Sequence, residues 1–383
     1  MTKNKIKILC VVGARPNFIK ISPLLQELKK YAKFKPILVH TGQHYDYRMS
    51  GSFFKELNIP KPDHNLGIGH APHRTRSGAG SGSHASQTAK IMIEFERVCL
   101  KERPNLVIVV GDVNSTLAGA LVAAKLHIPV AHIEAGLRSF DMSMPEEINR
   151  ILTDHISDYL FTSCQQANKN LINEGISKKK IFFVGNIMID TLKSQISNAK
   201  CQNLRILKQF NLKSKEYAVL TLHRPSNVDS KKTLKNLLET FKIISKKIPI
   251  IFPIHPRTLK QIKKFKLKIP NKQLKIVPPL NYLEMLYLMA NSKLILTDSG
   301  GIQEEATVLK VPCLTLRKNT ERPITAEIGT NTVVGQDRNK ILKQVNKILS
   351  GRYKKGKIPK YWDGKTAKRI IKILKKKICS NQK

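Results

Sequence analysis

Residues 6–20 read IKILCVVGARPNFIK: an apolar run, Ile6–Val12, that stops at Gly13 and passes into a segment opened near Pro16. Glycine permits a tight turn, and proline is at home in the first turn of a helix. The stretch therefore predicts strand, turn and helix in that order. The order recurs at 294–305, LILTDSGGIQEE, where Leu294–Thr297 is the strand and Ser299-Gly300-Gly301 opens the helix. Around the first copy lie further apolar runs at 36–40, 106–110, 130–133, 159–162 and 181–184. Around the second lie 217–222, 250–254, 274–277 and 313–316. Amphipathic stretches such as 19–31, 87–103 and 116–126 separate them. Runs of Val, Ile and Leu without polar alternation, spaced by helices, predict parallel strands covered on both faces. Two such series predict an α/β protein of two units, joined near residues 185–190, with a basic amphipathic helix last.

The 383 residues are 41% hydrophobic and 25% charged, which excludes collagen, coiled coil and wholesale disorder. Sixty-eight Lys and Arg against 27 Asp and Glu give a net charge of +41, a surface that attracts anions. No apolar run approaches the roughly 18 residues of a membrane span. Residues 6–14 are followed directly by Pro16 and Lys20, with no small-residue cleavage site, so they read as a first strand and not a signal peptide. Six scattered cysteines, with no CxxC pair and no metal-ligand spacing, predict a reduced, cytoplasmic protein without a structural metal. Residues 70–83, HAPHRTRSGAGSGS, carry no periodicity and read as a loop.

Several candidate residues follow strand ends, where open α/β sheets place their ligands. Arg15 and Lys20 flank the first turn and form a candidate phosphate wall at a helix N-terminus; neither a P-loop nor GxGxxG is present. At the second turn, Ser299, Gly300 and Gly301 let a diphosphate approach the backbone, with Glu304 and Glu305 one helical turn on. Asp112 follows one apolar strand in VVGDVNST and Glu134 another in AHIEAGLRS. Glu146 lies in PEEINR, four residues before Arg150, a spacing that also suits a simple helical pair. These three acids suit general acid/base work. His223-Arg224 and His255-Pro256-Arg257 each follow a strand and suit an anion-lined cleft.

GARPNFIK, TGQH, GDVNSTLAGA, HIEAGLRS, PEEINR, the HRxxN box, DSGGxQEE and TERP (Thr320–Pro323) occur in the order of the non-hydrolysing UDP-N-acetylglucosamine 2-epimerases, which this chain resembles from Ile6 to Asp337. The resemblance implies two Rossmann-like domains in a GT-B-like arrangement, residues 1–185 and 186–365, with helix 366–383 returning to the first and the active site in the interdomain cleft. It implies a cytoplasmic homodimer, with neither cofactor nor metal, that interconverts UDP-GlcNAc and UDP-ManNAc for bacterial polysaccharide synthesis. The route it implies eliminates UDP to give 2-acetamidoglucal and adds it back. Asp112, Glu134 and Glu146 match the family's acid/base group. Arg15, Lys20, His223, Ser299, Gly300, Gly301 and Arg322 match its nucleotide and phosphate contacts, and Glu305 its ribose-binding acid; Arg150 is grouped with the substrate contacts, and His223 also with the catalytic residues. Gln43 and His44 resemble part of a second UDP-sugar site. The chain departs from the family at Ser226, where HRxEN is common, and in an apparent insertion at 70–80.

The residues leave rivals open. A related epimerase would act on a UDP-2,3-diacetamido sugar or its uronic acid, or hydrolyse its product. A GT-B glycosyltransferase would need an acceptor and gives the three acids no role. A nucleic-acid-binding protein accounts for +41, but no basic motif interleaved with aromatics is present and only 6% of residues are aromatic.

Overall fold

A computed structural model of the protein describes residues 5–43, 54, 56–69, 83–202, 204–268 and 273–380. The chain forms two compact units, Met1–Thr191 with Lys360–Lys383, and Leu192–Pro359.

In the first unit, β1 (Ile6–Val12), β2 (Phe34–His40), β3 (His64–Asn65), β4 (Leu106–Val110), β5 (Val130–Ala135), β6 (Tyr159–Thr162) and β7 (Ile181–Phe183) form one sheet in the order β3-β2-β1-β4-β5-β6-β7. Every recorded pairing in it is parallel. Helices α1 (Arg15–Leu28), α2 (His84–Glu102), α3 (Asn114–Lys125), α4 (Pro145–Ile156), α5 (Gln165–Asn173) and α6 (Ile187–Gln202) follow strands in chain order. Leu9, Val11, Val107, Val109 and Val130 meet Phe95, Val98 and Ala120 in a core on one face.

The second unit repeats the plan with β8 (Ala218–Thr221), β9 (Ile250–Pro253), β10 (Leu274–Val277), β11 (Leu294–Thr297), β12 (Cys313–Thr315) and β13 (Asn331–Val333), ordered β10-β9-β8-β11-β12-β13. Its core joins Leu220, Phe252, Leu296 and Leu314 to Leu237, Phe241 and Ile341.

Strand order reverses between β1 and β4 in one sheet and between β8 and β11 in the other. The turns after those four strands carry Gly13, Asp112, His223 and Ser299. Each unit thus presents its candidate residues at the switch point where doubly wound sheets bind ligands.

The junctions between the units lie at Thr191–Leu192 and at Pro359–Lys360. Helix α6 runs through the first, and Thr191 hydroxyl donates to the Ile19 carbonyl at 2.5 Å, which holds the start of that helix to the first unit. At the second, Trp362 is buried and its indole N–H donates to the Ser163 carbonyl at 3.0 Å. The Asp190 carboxylate then accepts the Thr366 and Ala367 amides that open helix Thr366–Ser380. That helix packs on α1, and Lys375 Nζ lies 5.4 Å from the Tyr31 ring centroid. No helix among the described residues is long and apolar enough to cross a membrane.

Candidate active site

In the first unit, the turn between β1 and α1 is built around Asn17. Its Oδ1 accepts the Gly13 and Ala14 amides, both at 3.0 Å, and its Nδ2 donates to the Val110 carbonyl at 2.9 Å. One side chain thereby ties the ends of β1 and β4 together. A Cβ on Gly13 would lie 2.0 Å from Ser115 Oγ, so only glycine fits there. Arg15 is half-buried in the first turn of α1.

Lys20, one turn further on, is buried and pairs with Glu134 Oε2 from the end of β5. The sequence placed Lys20 among phosphate contacts; here it neutralises one of the three acids. Glu134 has φ +75°, and the β5–β6 register shifts between Ile133 and Ala135. A left-handed non-glycine residue at a bulge is the kind of backbone strain that re-aims a functional side chain. Gly111 borders the pair: a Cβ there would meet Lys20 Nζ at 2.9 Å, and its φ of +72° also favours glycine.

Asp112 comes next in the chain. Its Oδ2 accepts from Arg150 Nε at 3.1 Å and Nη2 at 2.7 Å. Arg150 Nη1 pairs with the buried Glu147, whose carboxylate also accepts the Ser139 and Phe140 amides. Glu147 is therefore a structural acid without a signal of its own in the sequence, while its neighbour Glu146 is half-buried in the first turn of α4. Gln43 is buried, and its Oε1 accepts from Ser115 Oγ at 2.6 Å and Ser115 N at 3.1 Å. His44 and residues 70–80 lie outside the described residues.

In the second unit, the fully buried Asp298 carboxylate organises the turn after β8. It accepts the His223 and Arg224 amides and Asn227 Nδ2, and Oδ1 is 3.0 Å from His223 Nδ1. Burial alone would raise the Asp298 carboxyl; His223 and these donors together hold it below the usual carboxylate range. The imidazole of His223 remains half exposed, 5.5 Å between ring centroids from His255. The His255 Nδ1 accepts the Arg257 amide and caps a helix, a structural role.

Helix Gly300–Val308 opens at Ser299, whose side chain makes no capping bond. The first amides of that helix form a positive end suited to phosphate. Arg322 lies against this end: a Cβ on Gly300 would be 3.2 Å from its Nε. The same Nε is 3.3 Å from the buried Glu304 Oε1. Glu305 is buried one residue on and accepts from Tyr282 OH at 2.9 Å. Burial first, with the Glu304 charge added, pushes its carboxyl up to about 7 despite that bond. Asp298 lies in the DSGGxQEE box and Glu147 in PEEINR, but their supporting roles, like that of Tyr282, appear only in the fold.

A family model described as UDP-N-acetylglucosamine 2-epimerase matches residues 26–375. The Methanocaldococcus jannaschii UDP-N-acetylglucosamine 2-epimerase is 50% identical over 376 residues, covering 96% of this chain and 99% of that one. A Pseudomonas aeruginosa UDP-2,3-diacetamido-2,3-dideoxy-D-glucuronate 2-epimerase is 42% identical, covering 97% and 100%. The crystal structure of the Methanocaldococcus jannaschii UDP-GlcNAc 2-epimerase in complex with UDP-GlcNAc and UDP matches with a TM-score of 0.87 at 48% identity, over 97% of this chain and 99% of that one. With a match over nearly its whole length, a shared two-unit parallel fold and half its residues in common with a relative, the chain belongs to the UDP-N-acetylglucosamine 2-epimerase family of isomerases.

Proposed function

We propose that the protein interconverts UDP-GlcNAc and UDP-ManNAc by elimination and re-addition of UDP. The observation that carries this reading is the acid cluster at the ends of β4 and β5, where Asp112 follows the glycine that borders the buried Lys20–Glu134 pair. A sugar C2–H is barely acidic, so simple removal and return of the proton is slow. In the proposed path one acid of the set Asp112, Glu134 and Glu146 takes the C2 proton as the C1–O bond to UDP breaks. The products of that step are 2-acetamidoglucal and UDP. A diphosphate oxygen then adds back to C1, and C2 receives a proton on its other face. Charge grows on the departing diphosphate, and fixed donors aimed at such charge stabilise the transition state. Arg15 in the first unit and His223, Ser299, the amides of Gly300 and Gly301, and Arg322 in the second serve this role. Glu305 accepts from the ribose, and Arg150 holds Asp112 in place. The names of the relatives support the substrate class; UDP-ManNAc so made serves as a polysaccharide precursor.

Incubation with UDP-GlcNAc in D2O, read by NMR, tests the path. The expected result is UDP-ManNAc carrying deuterium at C2, with no added nicotinamide cofactor or metal. Conversion without deuterium refutes the elimination. No conversion, with turnover of a UDP-2,3-diacetamidoglucuronate, moves the assignment to the reaction of the Pseudomonas aeruginosa relative.

The same reading includes a cytoplasmic homodimer. Ile93 and Leu100 on α2 and Ile148 and Leu152 on α4 are exposed, and Leu117 and Leu121 on α3 are half-buried. Helix α3 packs against both neighbours, so these apolar side chains lie on adjacent helices, and contiguous exposed apolar surface is a common site of protein association. An Ile93→Glu, Leu100→Glu double variant is expected to halve the mass measured by light scattering. An unchanged mass, or a monomeric unmodified protein, would remove this face from the proposal.

A further inference from the structure

A group of polar and ionisable side chains behind the acids is not used by the chemistry just described. His132 on β5 is fully buried, as is Asp154 on α4. His132 Nδ1 is 2.6 Å from Asp154 Oδ1, and Nε2 is 2.8 Å from the Gly111 carbonyl. Asp154 Oδ2 accepts the Gly136 amide at 3.0 Å and lies 2.7 Å from Arg138 Nη1. Arg138 in turn forks onto Glu174, with Nε and Nη2 at 2.7 and 2.6 Å from its two oxygens.

The contacts of the central pair are not scattered. Gly111 immediately precedes Asp112, and Gly136 follows Glu134 by two residues. Asp154 itself belongs to α4, the helix that carries Glu146 and Arg150. One His–Asp pair therefore braces the three elements that bear the three candidate acids. The braced glycines both hold positive φ, +72° at Gly111 and +77° at Gly136, so neither turn relaxes to a common conformation. Buried ion pairs are weak sources of net stability, because desolvation offsets their attraction. Here the hydrogen bonds go to the backbone of the acid-bearing turns, where fixed geometry matters more than stability.

We propose that His132 and Asp154 are positioning residues that hold the Gly111–Asp112 and Glu134–Gly136 turns in register for proton transfer at C2. Neither need touch the substrate. This rests on the epimerase reading. Displacing a catalytic group by about 1 Å costs on the order of a hundredfold in rate.

The test compares steady-state kinetics on UDP-GlcNAc, UDP affinity and thermal melting for the unmodified protein and four variants. His132→Phe keeps the ring volume and loses both hydrogen bonds; Asp154→Asn keeps shape and loses the charge. Each is expected to lower kcat by about a hundredfold, with KM and UDP affinity within about threefold of the unmodified values. His132→Gln, which retains an N–H for the Gly111 carbonyl, is expected to recover about tenfold of the loss. Val98→Ala, a core change on α2, is expected to lower the melting temperature and leave kcat intact. Full kcat in His132→Phe and Asp154→Asn overturns the proposal, as does a loss in Val98→Ala equal to theirs. An unmodified protein that turns over no UDP-GlcNAc fails the epimerase reading, and this inference with it; variant failure alone leaves that reading standing.

Discussion

Glu134→Gln is expected to lower kcat by about 10²–10⁴-fold while UDP affinity stays close to that of the unmodified protein, because the change keeps shape and removes proton-transfer capacity. The structure adds a complication and a way around it. Glu134 pairs with Lys20, and both side chains are buried. The glutamine variant leaves an ammonium without its counter-charge, and breaking a buried pair from one side costs about 3–5 kcal/mol. A loss of activity in Glu134→Gln alone therefore mixes chemistry with stability. The double variant Lys20→Met, Glu134→Gln removes both charges and is expected to recover most of the melting temperature without recovering turnover. Asp112→Asn belongs to the same prediction: Arg150 still has Glu147 as a partner, so the rate is expected to fall by a similar order with a smaller loss of stability. Steady-state rates, UDP calorimetry and melting curves on the four proteins decide the matter. Near-normal turnover in Glu134→Gln, recovered turnover in the double variant, or lost UDP binding in either would refute the acid/base assignment.

The fold was legible where burial acts on both faces of a strand. Runs at 6–12, 106–110, 159–162, 274–277 and 294–297 match β1, β4, β6, β10 and β11 residue for residue, because isolated polar residues such as Lys7 and Lys275 do not impose an alternation on otherwise apolar runs. His64–Asn65 and Asn331–Val333 were not legible: both are short and at sheet edges, and backbone pairing with β2 and β12 makes them strands. Helix starts are harder to see for a related reason. The first residues of α2 and α3 are His84 and Asn114, in polar opening turns, and the apolar period begins only after them, whereas Pro16 marked the start of α1.

The candidate site divides along the same line. Asp112, Glu134 and Ser299 stood out because each follows an apolar strand. Their pairings did not, since that of Lys20 with Glu134 depends on which strand lies beside which. Glu146 and Glu147 are adjacent in sequence, yet the fold buries the second under Arg150 and leaves the first half-buried. His132 reads as one more strand residue and Asp154 as one more helix residue until the sheet brings them to 2.6 Å. The strain at Glu134 has no sequence signature, because glycine is the residue that advertises positive φ.

On the nucleotide side, Arg322→Ala and Glu305→Gln are expected to weaken UDP binding alike and to change stability in opposite directions. A hydrogen bond to a charged group contributes about 1.5–3 kcal/mol, so each variant is expected to lose about ten- to a hundredfold in affinity. Arg322→Ala removes the guanidinium 3.3 Å from Glu304 Oε1 and leaves that buried carboxylate less compensated, so the protein should melt earlier. Glu305 differs because its carboxyl is pushed up to about 7. Between the ordinary glutamate value of about 4.3 and 7 the folded chain binds more protons at this site than the unfolded chain, so its contribution to stability falls as pH rises through that window. At pH 8 the carboxylate is ionised in its buried place, which costs on the order of a few kcal/mol relative to the unfolded chain. Glu305→Gln removes that cost and is expected to raise the melting temperature at pH 8 with little change at pH 4. Melting curves at both pH values, beside UDP titrations by calorimetry, read the two effects separately. Uridine, which has the ribose and no phosphate, isolates the Glu305 contribution and is expected to bind the unmodified protein more tightly at pH 8 than at pH 6, as the carboxylate becomes the better acceptor. If Glu305→Gln keeps full affinity, or gains no stability at pH 8, Glu305 is not an acid strained by burial for the sake of the ribose.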